Sequence, residues 1–219
     1  MPRGIRRYLL VSGFSVAAVI VGLFLLGLLV GWRGDLSVVI FVIGPILFGV
    51  VAIGAAALAI YGIVLAFRVQ RLVWRAVAGL GGPLLILAAI GLALPAISAG
   101  RDAGAWLRFS SERPRYDAIV AKLRAAPGPS GEQRSGIMTA GETKYLVEWG
   151  PPVRVAFDPD GILDNWSAII FDPSGDVMQA DGFDRDGKFV ASRDVTGLFG
   201  GDLVRCRPLA DDYYYCAFT

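Results

Sequence analysis

Histidine is absent from all 219 residues. The chain therefore cannot hold a haem or pigment through imidazole, or build the usual histidine-ligated catalytic zinc site. Charge is almost absent from the first hundred residues, which carry seven Arg and a single acid, Asp35, for a net of +6. Within that half, Tyr8–Trp32, Leu36–Phe67 and Ala76–Gly100 contain no Asp, Glu, Lys, Arg or His. Ion pathways and proton relays mark themselves by ionisable residues inside apolar spans. A transporter or pump acting alone is thus not expected. Also lacking are a P-loop, a dinucleotide fingerprint and a G-x-S-x-G elbow. No basic face is interleaved with aromatics, so no nucleic-acid partner is expected. No cofactor or metal is expected either.

What remains is unevenly divided. Hydrophobic residues make up 55% of the chain, too many for an ordinary soluble domain, and they concentrate before Gly100. After Arg101 the composition is that of a soluble domain, with fourteen Lys/Arg against eighteen Asp/Glu, a net of −4. A membrane-crossing helix needs about 20 mostly apolar residues. Residues 8–32 and 76–100 meet this as spans one and three. Residues 36–67 are long for one crossing and short for two. They read as one tilted helix kinked at Pro45, with a re-entrant start before Pro45 as the alternative. Tyr8, Trp32, Tyr61 and Trp74 lie near span ends, where amphipathic rings favour the headgroup level. Span one is too long for a cleaved signal sequence and lacks a small-residue cleavage site at Gly31-Trp32-Arg33, so it reads as retained.

Orientation follows from arginine. Arg3, Arg6 and Arg7 precede span one; Arg68, Arg71 and Arg75 separate spans two and three; the other loop has Arg33 balanced by Asp35. Positive-inside bias places the N-terminus and the Arg68–Arg75 loop in the cytoplasm, and three crossings then put the C-terminal domain outside. The Ala, Gly and Arg content suggests a bacterial inner membrane, with the domain in the periplasm.

Small residues recur on one face of span two: Gly49, Ala52, Ala56, Ala59, Gly62 and Ala66. Such a stripe lets helix backbones approach closely where lipid removes the hydrophobic drive for association. It reads as a packing face, within this chain or against another membrane subunit. The isolated pairs Ala18/Gly22, Gly27/Gly31 and Ala89/Ala93 read as ordinary composition.

The outer half begins with a segment, Arg101–Phe109, leaving along the membrane surface. A short amphipathic helix follows, started by Ser110-Ser111 and Pro114 and buried through Tyr116, Ile119, Val120 and Leu123. Residues 127–134 read as a linker, closing an interfacial segment over 101–136. From 137 to 219 the pattern is antiparallel β. Strands are expected at Thr143–Trp149, from Val153 to Phe157, and at Trp166–Phe171. Others are expected at Asp176–Ala180, Leu203–Arg207 and Tyr213–Phe218. Asp172-Pro-Ser-Gly175 has the residues of a type I turn. The fold class is therefore three transmembrane helices plus a C-terminal α+β extracytoplasmic domain, its sheet covered on one face.

Only two cysteines occur, Cys206 and Cys216. If Leu209 pairs with Tyr213, the two face each other across the last hairpin, with Val204 opposite Phe218. An oxidising compartment favours their disulfide.

Asp158-Pro-Asp160-Gly161 and Asp184-Arg-Asp186-Gly187 each contain the D-x-D-G core of a calcium loop. The flanking ligand positions hold Ala156, Gly182, Ser167 and Arg193, so turn chemistry is the better reading. A Ser–Lys dyad drawn from Lys122, Lys144 or Lys188 matches no motif. Asn165-Trp-Ser167 is a glycosylation sequon only in a eukaryotic secretory pathway. Tyr213-Tyr214-Tyr215, with Trp149 and Trp166, is a candidate binding surface, at least half of it core. The expected function is non-catalytic: an accessory or structural subunit of a membrane assembly, partnered by the bilayer and other membrane subunits. A membrane-anchored periplasmic binding or sensing module is the alternative.

Overall fold

The structure, a computed structural model, describes residues 2–34, 36–126, 135–162, 165–180, 186, 190, 195 and 197–219. The linker expected at 127–134 lies outside the described residues. Two compact units form, one of Met1–Gly31 with Val38–Gly104, the other of Trp32–Ser37 with Ala105–Thr219.

The first unit holds α1 (Arg3–Trp32), α2 (Leu36–Phe67) and the first part of α3 (Leu72–Ala125). All three helices are long and apolar enough to cross a membrane. Their outward residues include Phe14, Phe48, Leu84 and Leu94, each well over half exposed. A contiguous apolar surface of this kind marks a membrane- or protein-facing side. The helix continues through Pro45 without a break. This favours the single-helix reading over a re-entrant start.

Glycine sets how closely these helices approach. A Cβ on Gly27 would collide with the Ile97 carbonyl oxygen, and one on Gly100 with the Phe24 carbonyl oxygen. α1 and α3 therefore meet backbone to backbone, and Gly27 is not the background composition that its sequence pair suggested. α2 joins them around Tyr8. A Cβ on Gly62 would meet the Tyr8 hydroxyl and, at 2.7 Å, the Ala78 carbonyl; one on Gly82 would lie 3.3 Å from Ala59 Cα. Tyr8, expected at headgroup level, is thus only 3% exposed.

The six-residue stripe divides accordingly. Ala59, Gly62 and Ala66 face helices of the same chain, and Gly62 and Ala66 are buried. Gly49 has nothing within 4 Å of a built Cβ, and Ala52 and Ala56 are exposed.

In the second unit α3 runs on from Ala105 without interruption to Ala125. The surface segment and separate short helix expected over residues 101–125 are therefore one helix. The serines do not cap. Ser110 Oγ donates to the Trp106 carbonyl at 2.8 Å and Ser111 Oγ to the Arg108 carbonyl at 2.9 Å. Such back-bonding satisfies a hydroxyl inside a helix. Tyr116, Ile119, Val120 and Leu123 are all buried, together with Phe109, as the helical spacing requires.

These side chains pack on a six-stranded antiparallel sheet ordered β1-β2-β3-β4-β6-β5. Its strands are β1 (Ser135–Ala140), β2 (Thr143–Glu148), β3 (Arg154–Ile162), β4 (Asn165–Phe171), β5 (Leu203–Ala210) and β6 (Tyr213–Phe218). One face contributes Val147, Val155, Phe157, Ile169 and Tyr213 to the core beneath α3. The other contributes Ala156, Ala168, Ile170, Leu203 and Cys216 to a second core. That core is completed by Val177, Val195, Leu198 and Phe199, from the connection between β4 and β5. The sheet is thus covered on both faces, not one. The continuous burial of Ser167–Phe171 in β4 follows, since a strand with two buried faces need not alternate. Asp176–Gln179, expected as a strand, is a 3-10 turn following the Asp172–Gly175 turn; β1 makes up the six.

At the sheet's edge Cys206 pairs with Cys216, and their sulfurs are at disulfide distance. The expected local register differs on both sides of that pair. Leu203, not Val204, faces Phe218; Ala210, not Leu209, faces Tyr213. A bulge at each end absorbs the two shifts, leaving the cysteines opposed. Pro208 is tolerated because β5 is an edge strand.

Candidate functional site

A buried charge identifies the site. Arg108 lies on α3, one residue before Phe109 and two turns before Tyr116, on the face that the helix turns to the core. Only 8% of it is exposed. Its Nε has no hydrogen-bond partner among the described residues. Lys and Arg are seldom buried without a counter-charge, because an uncompensated buried cation costs several kcal/mol.

Arg108 lines a cleft of about 380 Å³ within the second unit. Cavities of about 300–1,000 Å³ commonly hold small ligands. Three other segments complete the lining: Trp32, Arg33 and Gly34 between α1 and α2; Glu142 and Lys144 at the β1–β2 turn; Asp158, Pro159 and Asp160 in β3. Each is placed for a local reason. Gly141, at φ 62°, takes the left-handed conformation that turns β1 into β2 and presents its neighbours Glu142 and Lys144. The register of β3 against β4 shifts between Phe157 and Asp160. A bulge there re-aims side chains out of the strand's alternation. Asp158, in that bulge, has φ 46°, a strained conformation for a residue with a side chain. Gly34 sits so close to Asp160 that a Cβ would collide with its carboxylate.

Three basic and three acidic side chains therefore share one cleft, with an indole at its rim. Tyr116 fixes one of the acids by donating its hydroxyl to Asp158 Oδ2 at 2.8 Å. Burial, reinforced by the Asp158 charge and that hydrogen bond, pushes the Tyr116 phenol upward. The phenol stays a donor throughout the ordinary pH range. Asp158 Oδ1 accepts from no described residue.

No protein-family model matches the chain, and no curated protein or solved structure is similar to it. The cleft must therefore be read from its own chemistry.

The sequence pointed to parts of this site for other reasons. Asp158-Pro-Asp160-Gly161 attracted a calcium reading outweighed by turn chemistry; it forms neither, but a bulge inside β3. Among the described residues no three metal-ligating side chains converge to hold an ion. The second D-x-D-G core lies outside the described residues except for Asp186. Lys144 faces this cleft, while Lys188 is outside the described residues. Arg108 was missed. Arg108, Glu112 and Tyr116 step by four along the helix, and in sequence an arginine four residues before a glutamate reads as an ordinary solvated ion-pair stripe.

Two other polar features are structural. Arg154 is buried and donates through Nε to Asp172 Oδ1 at 3.0 Å and through Nη2 to Asp176 Oδ2 at 2.8 Å. Asp172 also accepts from Ser174 and from the Val177 N–H, tying down the turn after β4. The Tyr213–Tyr215 cluster is not an exposed surface. Tyr213 is buried and bonds Asp117 at 2.7 Å, while Tyr214 and Tyr215 are partly buried on β6. Trp166 stacks on Phe218 with ring centroids 3.8 Å apart.

Proposed function

We propose that this chain is a non-catalytic integral membrane protein of the bacterial inner membrane, with its C-terminal domain in the periplasm binding a small charged ligand. The three apolar helices support the anchor, and the arginine asymmetry of the loops supports the orientation. The observation that carries the binding reading is Arg108, a buried guanidinium lining a cleft without a bonded partner for its Nε. Buried charges occur where something neutralises them, and a cleft wall leaves room for that group to be a ligand. The test is a thermal-shift screen of the full chain in mild detergent against small anions, cations and zwitterions. At least one class should raise the melting temperature, and Arg108→Gln should abolish the rise. A screen with no stabilising compound contradicts the reading.

A second reading is an accessory subunit of a membrane assembly. It is favoured by the uncovered half of the α2 stripe, Gly49, Ala52 and Ala56. Leu at Ala56 would then release the chain from its partners during purification while leaving it inserted. If partners copurify with that variant as they do with the unaltered chain, the uncovered stripe is not an interface.

A further inference from the structure

Taking the cleft as a binding site, we infer that its ligand is a phosphate–ammonium zwitterion of the phosphoethanolamine type. Arg33 and Asp160 already have partners, and of the remaining lining charges Arg108 and Lys144 stand against Glu142 and Asp158, so the cleft's formal charges cancel. A simple anion would gain Arg108 but would face the Glu142 and Asp158 carboxylates. A simple cation would leave the buried Arg108 Nε without an acceptor. A ligand bearing both charges answers both walls. Its phosphate takes the guanidinium, whose planar fork suits phosphate oxygens. Its ammonium donates to Asp158 Oδ1, the oxygen that Tyr116 does not occupy. Glu142 and Lys144 are exposed at the cleft's mouth and admit either end.

Position selects among zwitterions. Trp32 is the last residue of α1, and Arg33 and Gly34 join it to α2. The ends of membrane-crossing helices lie at headgroup depth, where Trp is favoured. A cleft walled by that junction meets ethanolamine phospholipid headgroups. Soluble phosphoethanolamine carries the same two charges and is the other source.

The test is titration calorimetry of the full chain in maltoside micelles. The ligands are dihexanoyl lipids with ethanolamine, choline or glycerol headgroups, O-phosphoethanolamine, inorganic phosphate and an alanine dipeptide. Heats from the same titrations into protein-free maltoside micelles serve as the baseline. The ethanolamine lipid should bind more tightly than the choline lipid, whose trimethylated nitrogen cannot donate to Asp158, and than the glycerol lipid, which has no ammonium. Arg108→Gln should weaken binding by at least about tenfold, the scale of losing one charged hydrogen-bonded partner. Lys144→Gln, an exposed change that spares the core, should weaken it less. Without ligand, Arg108→Gln should melt no lower than the unaltered chain, because it removes a buried guanidinium whose Nε makes no hydrogen bond.

Soluble phosphoethanolamine binding as tightly as the lipid supports the chemistry with a soluble source. Choline lipid, glycerol lipid, inorganic phosphate or dipeptide binding as well as the ethanolamine compounds overturns the inference but leaves the cleft a binding site. No binding by any ligand overturns the inference, and Arg108→Gln melting lower as well overturns the binding reading with it.

Discussion

Asp172 is fully buried and meets the Arg154 guanidinium at 3.0 Å. Burial by itself would raise its pKa, but hydrogen bonds from Ser174, the Val177 N–H and Arg154 outweigh that and hold the carboxyl below its usual value. A carboxylate depressed in the folded state stabilises the fold above its unfolded pKa, and that stabilisation is lost as pH falls through the folded value. Removing one partner of a buried ion pair typically costs about 3–5 kcal/mol. Asp172→Asn should therefore melt well below the unaltered chain near neutral pH, followed by near-ultraviolet circular dichroism. The gap should narrow once pH drops below about 4, where the unfolded-state carboxylate begins to take up a proton, and close as pH falls through the lower folded value. The disulfide belongs to the same scale. Cys206 and Cys216 are separated by 10 residues, so the chain-entropy model allows roughly 2.5–3 kcal/mol at most. Cys216→Ser should lower the melting temperature of the outer domain without changing membrane insertion, and denatured, unreduced protein should titrate no free thiol. Single residues were legible in the sequence where the chemistry is local. The cysteine pairing needed only strand alternation. Arg108 was not legible, because its meaning depends on β3 and the α1–α2 connection arriving beside it from distant parts of the chain.

Between helices the same residue type has opposite consequences at different places. Gly100 faces the Phe24 carbonyl of α1, whereas Gly49 of α2 has open space around it. Gly100→Val should push α1 and α3 apart and cost about 1–3 kcal/mol, the usual scale of overpacking. Gly49→Val should insert and melt as the unaltered chain does. Ala59→Leu should destabilise the helical unit itself, because Ala59 packs toward Gly82 of α3, while Ile60→Leu on the exposed face should not. Melting of the full chain in detergent by circular dichroism reads all four. Long elements were legible from hydropathy alone: α2 begins and ends at the expected residues. The strands after Gly141 followed from alternation and turn residues. Sequence punctuation misled where tertiary packing overrode it. Ser110, Ser111 and Pro114 look like a helix start, but Phe109 and Tyr116 are both buried on one continuous helical face and hold the helix through them. Asp176–Gln179 has strand-like composition, yet the Asp172 hydrogen bonds to Ser174 and Val177 curl it into a turn.

For the whole molecule, the reading joins three apolar helices to a domain whose cleft is charged and whose cysteines are at disulfide distance. The proposed periplasmic side makes these consistent: disulfides persist in an oxidising compartment, and headgroups of the outer leaflet lie beside the α1–α2 connection. Everything functional in the account depends on that side. It is tested by single cysteines introduced at Gln70, in the α2–α3 connection, and at Thr139, exposed on β1, with an impermeant maleimide applied to intact cells or spheroplasts. The account predicts labelling at Thr139→Cys and none at Gln70→Cys until the membrane is opened. Labelling at Gln70→Cys with protection at Thr139→Cys would put the domain in the cytoplasm and contradict it.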